Sequence, residues 1–360
     1  MHRPDGCVRR ARFAVIVRTL RGLEAVARAE VEAVFGRIPV TVEHRSLRFS
    51  LPCLDARLLA LGTVDDAFLL LAEADSVGHH RSALSALGSL AAAADLPAAL
   101  SALGSLRRVA RPVDFDVTAS FVGARNYSRF EIEDAVGRAV AARDGWTYRS
   151  RSTTRRAKPT SLSLRVHLMH GTATLAVRLA RRPLHRRAYR VATRPGALHP
   201  PLARAMVLLA DPAAGDRLVD PACGVGTIAI EAALLMRDVQ VVGFDLDEGA
   251  VRAARANARR ARVEVCAAVA DAARLPLRAR SADRVVANPP WGDAVAPAGA
   301  LRARPDALWR EAARILAGDG RLVALVPRGG ERELRRAGLD AHAVGWVRVA
   351  GAEAVLALAA

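Results

Sequence analysis

Four polar residues, Asp220, Asp245, Asp271 and Asn288, each follow a short apolar stretch at spacings that could assemble a binding site. The first closes residues 217–219 (RLV) and leads into Pro221-Ala222-Cys223-Gly224-Val225-Gly226-Thr227. An apolar strand, an acid, a glycine turn and an apolar helix form the first unit of a doubly wound α/β sheet, whose ligands sit at the carboxyl ends of strands. Gly224 and Gly226 let backbone approach a ligand closely. The following helix, which Thr227 can cap, presents free N–H groups. Such a turn by itself is also common as plain structure. Its continuation argues for more. Residues 239–244 (VQVVGF) read as a second buried strand ending in Asp245, at the distance where such folds hold a ribose hydroxyl pair. Residues 263–270 and 283–287 read as strands ending in Asp271 and Asn288, and residues 321–327 as a fifth strand. One polar group at a strand end is ordinary, whereas four on one rim form a site.

The step Asn288-Pro289-Pro290-Trp291-Gly292 narrows the chemistry. Two prolines after a strand fix the backbone and remove two N–H donors, which leaves carbonyls pointing outward. The Asn288 side-chain oxygen and the Pro289 carbonyl can both accept from one –NH2 group, and Trp291 offers a flat face for a base. An exocyclic amine is a poor nucleophile because its lone pair is delocalised into the ring. Two acceptors can hold its hydrogens and aim that lone pair at an electrophile, with the Asn288 amide hydrogens held by nearby backbone. This is positioning plus preorganised electrostatics. Alone, the same step also suits a tight turn over an aromatic plug. The helix N-terminus would lower the Cys223 thiol pKa, although packing beside the ligand is its expected role. None of the nine histidines stands at ligand spacing with a cysteine or an acid, which predicts no metal site.

The strings DPACGVGTIAIEAA and NPPWG, together with Asp245 and Asp271, resemble those of S-adenosylmethionine-dependent amino-methyltransferases, and the THUMP-domain RNA guanine-N2 methyltransferases in particular. The resemblance runs from about residue 17 to residue 327. It implies an α/β chain: a Rossmann-like methyltransferase domain with a seven-stranded doubly wound sheet, preceded by α+β ferredoxin-like and THUMP domains. It implies S-adenosylmethionine as cofactor, with Asp245 on the ribose hydroxyls and Asp271 at the adenine amine. Asp220 and the backbone of Gly224 and Gly226 would hold the methionine end. Pro221, Cys223, Thr227, Leu246, Ala272 and Asn288 complete the implied cofactor set. Asn288, Pro289, Pro290 and Trp291 are the implied catalytic set, acting on a base flipped from its helix. Trp291 stands where the family usually has Tyr or Phe, so a stacking face is kept and a phenol hydroxyl is lost. The implied reaction is methylation of a guanine N2 amine in structured RNA, foremost tRNA. A ribosomal RNA guanine, another amine such as adenine N6, and a non-catalytic RNA-binding relic are the alternatives.

These residues need a scaffold, and its elements are partly legible. Residues 1–75 read as a ferredoxin-like unit: a strand at 12–17, a helix with Leu23, Val26, Glu30 and Val34 on one side, alternation over 40–51, a helix at 54–61 and a strand at 67–72. Residues 76–190 correspond to the THUMP domain. They comprise helices over 81–106 broken at Pro97, a strand at 114–121, a helix at 131–143 behind a Ser128/Glu131 capping box, and a hairpin around Gly171. Residues 191–201 read as a proline-rich linker and 202–360 as the catalytic domain, with PPLARAMVLLA a helix laid on its sheet.

Charge is the second large signal. The chain of 360 residues carries a net charge of +18, and Lys158 is its only lysine. Residues 1–200 hold 32 basic and 17 acidic residues, net +15, against 22 and 19, net +3, for the remainder. Between residues 145 and 210 no acid stands against 14 Arg and Lys. Such one-sided charge points to a polyanion. Arg155, Arg156, Lys158, Arg186, Arg187 and Arg190 are the expected RNA contacts. No apolar run reaches membrane-span length, and residues 13–17 are too short a run for a signal peptide. Four widely spaced cysteines form neither a zinc pattern nor a disulfide framework. The expectation is a cytoplasmic monomer, bound to neither metal nor membrane.

Overall fold

The computed structural model describes residues 12–153, 160–290, 296–349 and 351–360. Trp291, Gly292, Arg155, Arg156 and Lys158 lie outside the described residues.

The N-terminal half is built on β1 (Phe13–Arg18), β2 (Val40–Glu43), β3 (Ser46–Leu51), β4 (Asp66–Ala74), β5 (Asp114–Phe121), β6 (Thr147–Tyr148), β7 (Leu162–Met169) and β8 (Thr172–Arg178). These form one eight-stranded sheet in the order β2-β3-β1-β4-β8-β7-β5-β6. Helices α1 (Glu24–Phe35), α2 (Ala83–Ala93), α3 (Leu96–Leu103) and α4 (Arg129–Asp144) accompany it. The segments 1–75 and 76–190 therefore share a sheet through the antiparallel β4–β8 ladder, and one core runs from Val15 to Leu179. The period-2 signal is plain in β5, which buries Phe115, Val117 and Ala119 on one side. Ser128 and Glu131 make the capping box at α4 as their spacing predicts.

Two local readings change. Pro97 does not break a helix. Asp95 caps α3 by accepting from the Ala98 N–H at 3.0 Å, and Pro97 sits in the first turn, where a missing N–H costs nothing. The segment 54–61 keeps only a 3-10 turn, Ala56–Leu59, capped by Asp55.

The C-terminal half is built on β9 (Arg217–Asp220), β10 (Gln240–Asp245), β11 (Cys266–Val269), β12 (Ala282–Ala287), β13 (Leu316–Pro327), β14 (Ala341–Val349) and β15 (Ala352–Ala359). Their order is β11-β10-β9-β12-β13-β15-β14, with the first five parallel and β15 antiparallel to both its neighbours. The chain runs outward from β9 to β11 and returns to the other side of β9 as β12. The crevice at the carboxyl ends of β9 and β12 is the switch point where such sheets bind ligands. Helices α5 (Pro200–Ala210) and α6 (Thr227–Leu235) cover one face, and α8 (Ala307–Ile315) and α9 (Glu331–Arg336) the other. Helix α7 (Glu248–Ala261) packs Val251 and Ala254 against Cys223 and Ala267. Burial on both faces explains why the strands read as continuous apolar runs. Among the described residues no single helix is long and apolar enough to cross a membrane, and α2 with α3 passes only as a pair bent by 55°.

The two halves are joined through a buried acid. Glu231 of α6 is fully buried. Its carboxylate accepts from Arg187 Nε at 2.8 Å, Tyr189 Oη at 2.9 Å and Arg204 Nε at 2.9 Å. Arg187 also donates to the carbonyls of Leu184 and Gly62, each at 2.6 Å, so one guanidinium ties the N-terminal half to α6. Removing one partner of a buried ion pair costs about 3–5 kcal/mol, because the other charge is left uncompensated. Glu231→Ala should therefore lower the unfolding free energy by about 3–5 kcal/mol. Denaturant unfolding checks this, with Glu231→Gln, which keeps an acceptor oxygen, expected to lose less.

Candidate active site

The strand-end groups meet in one cleft of about 1040 Å3, lined by Asp220, Cys223, Gly224, Asp245, Asp271, Asn288 and both following prolines. This is at the upper end of small-ligand clefts, roughly 300–1,000 Å3. Pro221, Thr227, Leu246 and Ala272 line it as well. Gly226 is the helix N-cap next to this wall, at φ +80°, and a Cβ there would meet the Ala254 Cβ at 2.9 Å. Close packing of α7 against the turn thus requires glycine at this position on both grounds.

The acids hold the site together as well as facing it. Asp245 Oδ2 accepts from the Gly224 N–H at 2.9 Å and Oδ1 from the Asp247 N–H at 2.9 Å. The carboxylate after β10 therefore sets the shape of the glycine turn after β9. Asp271 accepts from the Ala273 and Ala300 N–H groups, each at 2.9 Å, and so anchors the chain that returns after the Asn288 loop. Asp220 differs. It is 1% exposed, and its Oδ1 accepts a 3.3 Å bond from the Ala222 N–H. Its Oδ2 is buried without a partner among the described residues. Burial first, then the neighbouring Asp245 charge, pushes the Asp220 carboxyl up to about 8. An orphaned carboxylate oxygen in the wall of a cleft calls for a cationic or donor ligand.

Several sequence readings move at this point. Thr227 does not cap α6: Gly226 is the N-cap without a side-chain bond, and buried Thr227 Oγ1 accepts from Arg190 Nη2 at 2.8 Å. Arg190 also donates to the Leu198 carbonyl at 2.6 Å. Arg187 and Arg190, expected on an RNA surface, thus turn inward to stabilise the helix behind the cleft, while Arg186 remains exposed. Burial first, then the charges of Asp220 and Asp245, raises the Cys223 thiol well above its ordinary value, opposite to the lowering expected from the helix N-terminus. Among the described residues no backbone group holds the Asn288 amide.

The reading of the histidines by spacing missed a cluster. The fold brings Asp65, His185 and His199 within 4.8 Å of one another, from segments too far apart in sequence for spacing to reveal. Burial, then His185 and nearby arginines, lowers the His199 pKa to about 4.

The segment 191–201 does more than link the two halves. Arg194, Pro195, Gly196, Ala197, Leu198 and His199 form one wall of the cleft. The fully buried Asn257 of α7 fastens this segment. Its Oδ1 accepts from the Val191 and Ala192 N–H groups at 3.0 and 2.9 Å, and its Nδ2 donates to the Ala192 and Val225 carbonyls, each at 3.0 Å. Its only signal in sequence is a polar residue on the packed side of an otherwise apolar helix stripe.

Comparison with known proteins gives this cleft its family. Residues 187–338 match a methyltransferase-domain family described as UPF0020, RMKL-like. A Thermus thermophilus protein named tRNA (guanine(6)-N2)-methyltransferase is 33% identical over 273 residues, covering 75% of this chain and 76% of the relative. The chain belongs to the THUMP-type RNA guanine-N2 methyltransferases. The crystal structure of TrmN from Thermus thermophilus superposes with a TM-score of 0.77 at 27% identity, covering 96% of this chain and 99% of that one. A Methanothermobacter thermautotrophicus tRNA (guanine(10)-N2)-dimethyltransferase is 38% identical over 117 residues, 32% of this chain and 33% of the relative. The family cofactor is S-adenosylmethionine, and the cleft fits it: the orphaned Asp220 oxygen suits an α-ammonium group, and Asp245 stands where a ribose would be held.

This fit carries a pH signature. Below about 8 Asp220 is protonated in the free protein. A cationic ammonium favours the ionised form, so binding releases a proton. From pH 6 to 7.5, below the range of the ligand's own amine (about 7.7–8.0), S-adenosylmethionine affinity should rise with pH by up to about tenfold per unit. Calorimetry in buffers of different ionisation enthalpy checks the proton release, and Asp220→Asn should bind weakly with a flat profile.

Proposed function

We propose that this protein methylates the N2 amine of a guanine in tRNA. The observation that carries the reading is the convergence of Asp220, Asp245, Asp271 and the Asn288-Pro289-Pro290 step on one cleft. Family membership supplies the reaction class. The names of the relatives supply tRNA as the substrate, and position 6 as the first to assay. When bound, S-adenosylmethionine supplies an electrophilic methyl group. Asp245 takes the ribose hydroxyls, Asp271 the adenine amine, and Asp220 with the glycine turn the methionine end. Asn288 Oδ1 and the Pro289 carbonyl accept from the target amine, and Trp291 stacks on the base.

Residues 1–75 and 76–190 act as the ferredoxin-like and THUMP parts of one RNA-gripping half, and residues 191–201 as the strap to the catalytic domain 202–360. We read the protein as a cytoplasmic monomer without a metal. Arg18, Arg45, Arg187 and Arg190 act on the Asp65, His185 and His199 cluster, and their charges oppose a cation there. The decisive experiment is nucleoside mass spectrometry of tRNA transcripts incubated with enzyme and cofactor. N2-methylguanosine supports the reading, and N6-methyladenosine alone overturns it.

Two outcomes follow from these roles. Asn288→Ala removes an acceptor that matters most as the amine changes geometry in the transition state. Its single-turnover rate should fall by about 10²–10³, with little change in cofactor or RNA affinity. Exposed Arg181, Arg182 and Arg186 sit in the acid-free stretch. RNA affinity should fall linearly on a log–log plot against salt, and the triple alanine variant should show a shallower slope in filter binding.

A further inference from the structure

A second, smaller pocket of about 370 Å3 opens on the other side of the Asn288 step, sharing Pro289, Pro290 and Leu301 with the large cleft. Arg328, directly after β13, lines it. Its guanidinium lies 5.0 Å above the ring of Trp346 on the edge strand β14. This indole is 47% exposed, on a chain with only four tryptophans. Sheet register places it. Trp346 pairs with Val355, and Val355 with Val326, which also lines the small pocket. Paired residues share a face of the sheet, so Trp346 stands on the pocket side, level with the rim. Exposed Arg348, two residues on, projects to the same side. Arg328 is 73% exposed, and its one ion pair among the described residues is a long 3.8 Å contact with exposed Glu353, the ladder partner of Arg348, so two guanidinium groups share a single acid at this spot. The position is also a junction of the two halves. The Trp346 carbonyl packs so closely on Gly22 that a Cβ there would lie 1.5 Å away.

We propose that Trp346, flanked by Arg328 and Arg348, is a stacking platform for an unpaired nucleotide next to the target guanine. This rests on the proposed function and adds a recognition site to it. Extruding a base leaves its neighbour unstacked, and an aromatic face restores that stacking for any base, while flanking guanidinium groups take the phosphates. The charge of the two arginines selects a nucleic acid over a second copy of this basic chain, which would bring like charge to the same spot.

The test uses the full-length protein and a tRNA transcript, with the methylated position first mapped by mass spectrometry and 2-aminopurine then placed on either side of it. Wild-type protein should quench the probe on one side. Trp346→Ala should abolish that quenching and raise KM for tRNA by roughly tenfold or more, the scale of a lost base–aromatic stack. Trp346→Phe should restore most of both, and calorimetric S-adenosylmethionine affinity should be unchanged in each variant. Arg328→Ala should weaken tRNA binding and reduce its salt slope by about one. Unchanged quenching and KM in Trp346→Ala overturn the platform, as does a loss of oligomeric mass without a change in tRNA affinity. A wild-type protein whose mapped methyl group lies on an adenine, with the neighbouring probe quenched through Trp346, would overturn the proposed function and leave the platform standing.

Discussion

A carboxylate with no exposure to water is a severe constraint, and Glu231 imposes it on this fold. Buried charge is tolerated only when its lone pairs are filled by good partners. Here the partners are Arg187, Tyr189 and Arg204, and they come from both sides of the junction. Arg187 carries the constraint on to Gly62 of the N-terminal half, and neighbouring Arg190 carries it to Thr227 at the start of the same helix. The helix that begins at the glycine turn is thus held by the segment that leads out of the N-terminal half. The junction between the two halves is set by hydrogen-bond satisfaction as well as by apolar packing.

The cleft follows the same logic on a smaller scale. Asp245 fixes the turn after β9, and Asp271 fixes the return after the Asn288 loop. Each acid has both a backbone partner and a face on the cavity. A site assembled this way has little to reorganise when ligand arrives, which is what electrostatic preorganisation requires. Asp220 is the exception, with one oxygen unpartnered among the described residues and its pKa raised by burial and then by the neighbouring Asp245. The strap 191–201 closes the wall because Asn257 supplies its backbone with both acceptor and donor. Substitutions in this strap would reshape the cleft wall without touching any strand-end motif.

Much of this was legible in the residues alone. The strand-end acids, the glycine turn, the Asn-Pro-Pro step and the capping box at α4 are local patterns, and local patterns survive in one dimension. Five strands of the sheet follow from apolar runs at β–α spacing, whereas the full count of seven came with the family resemblance and the β14–β15 pair left no such signal. The arginines were not so readable. Arg186 and Arg187 are adjacent and chemically identical, yet one faces solvent and the other is locked on Glu231, 44 residues away in sequence. Thr227 looked like a cap, and three-dimensional packing made it an acceptor for Arg190 instead. Residues 1–75 and 76–190 share one sheet through β4 and β8, a pairing of distant segments that periodicity cannot announce. Sequence alone determined which chemistry this chain carries, because motif residues act through type and short spacing. Tertiary structure alone decided which charges serve the partner and which serve the fold, because that depends on which groups lose water together.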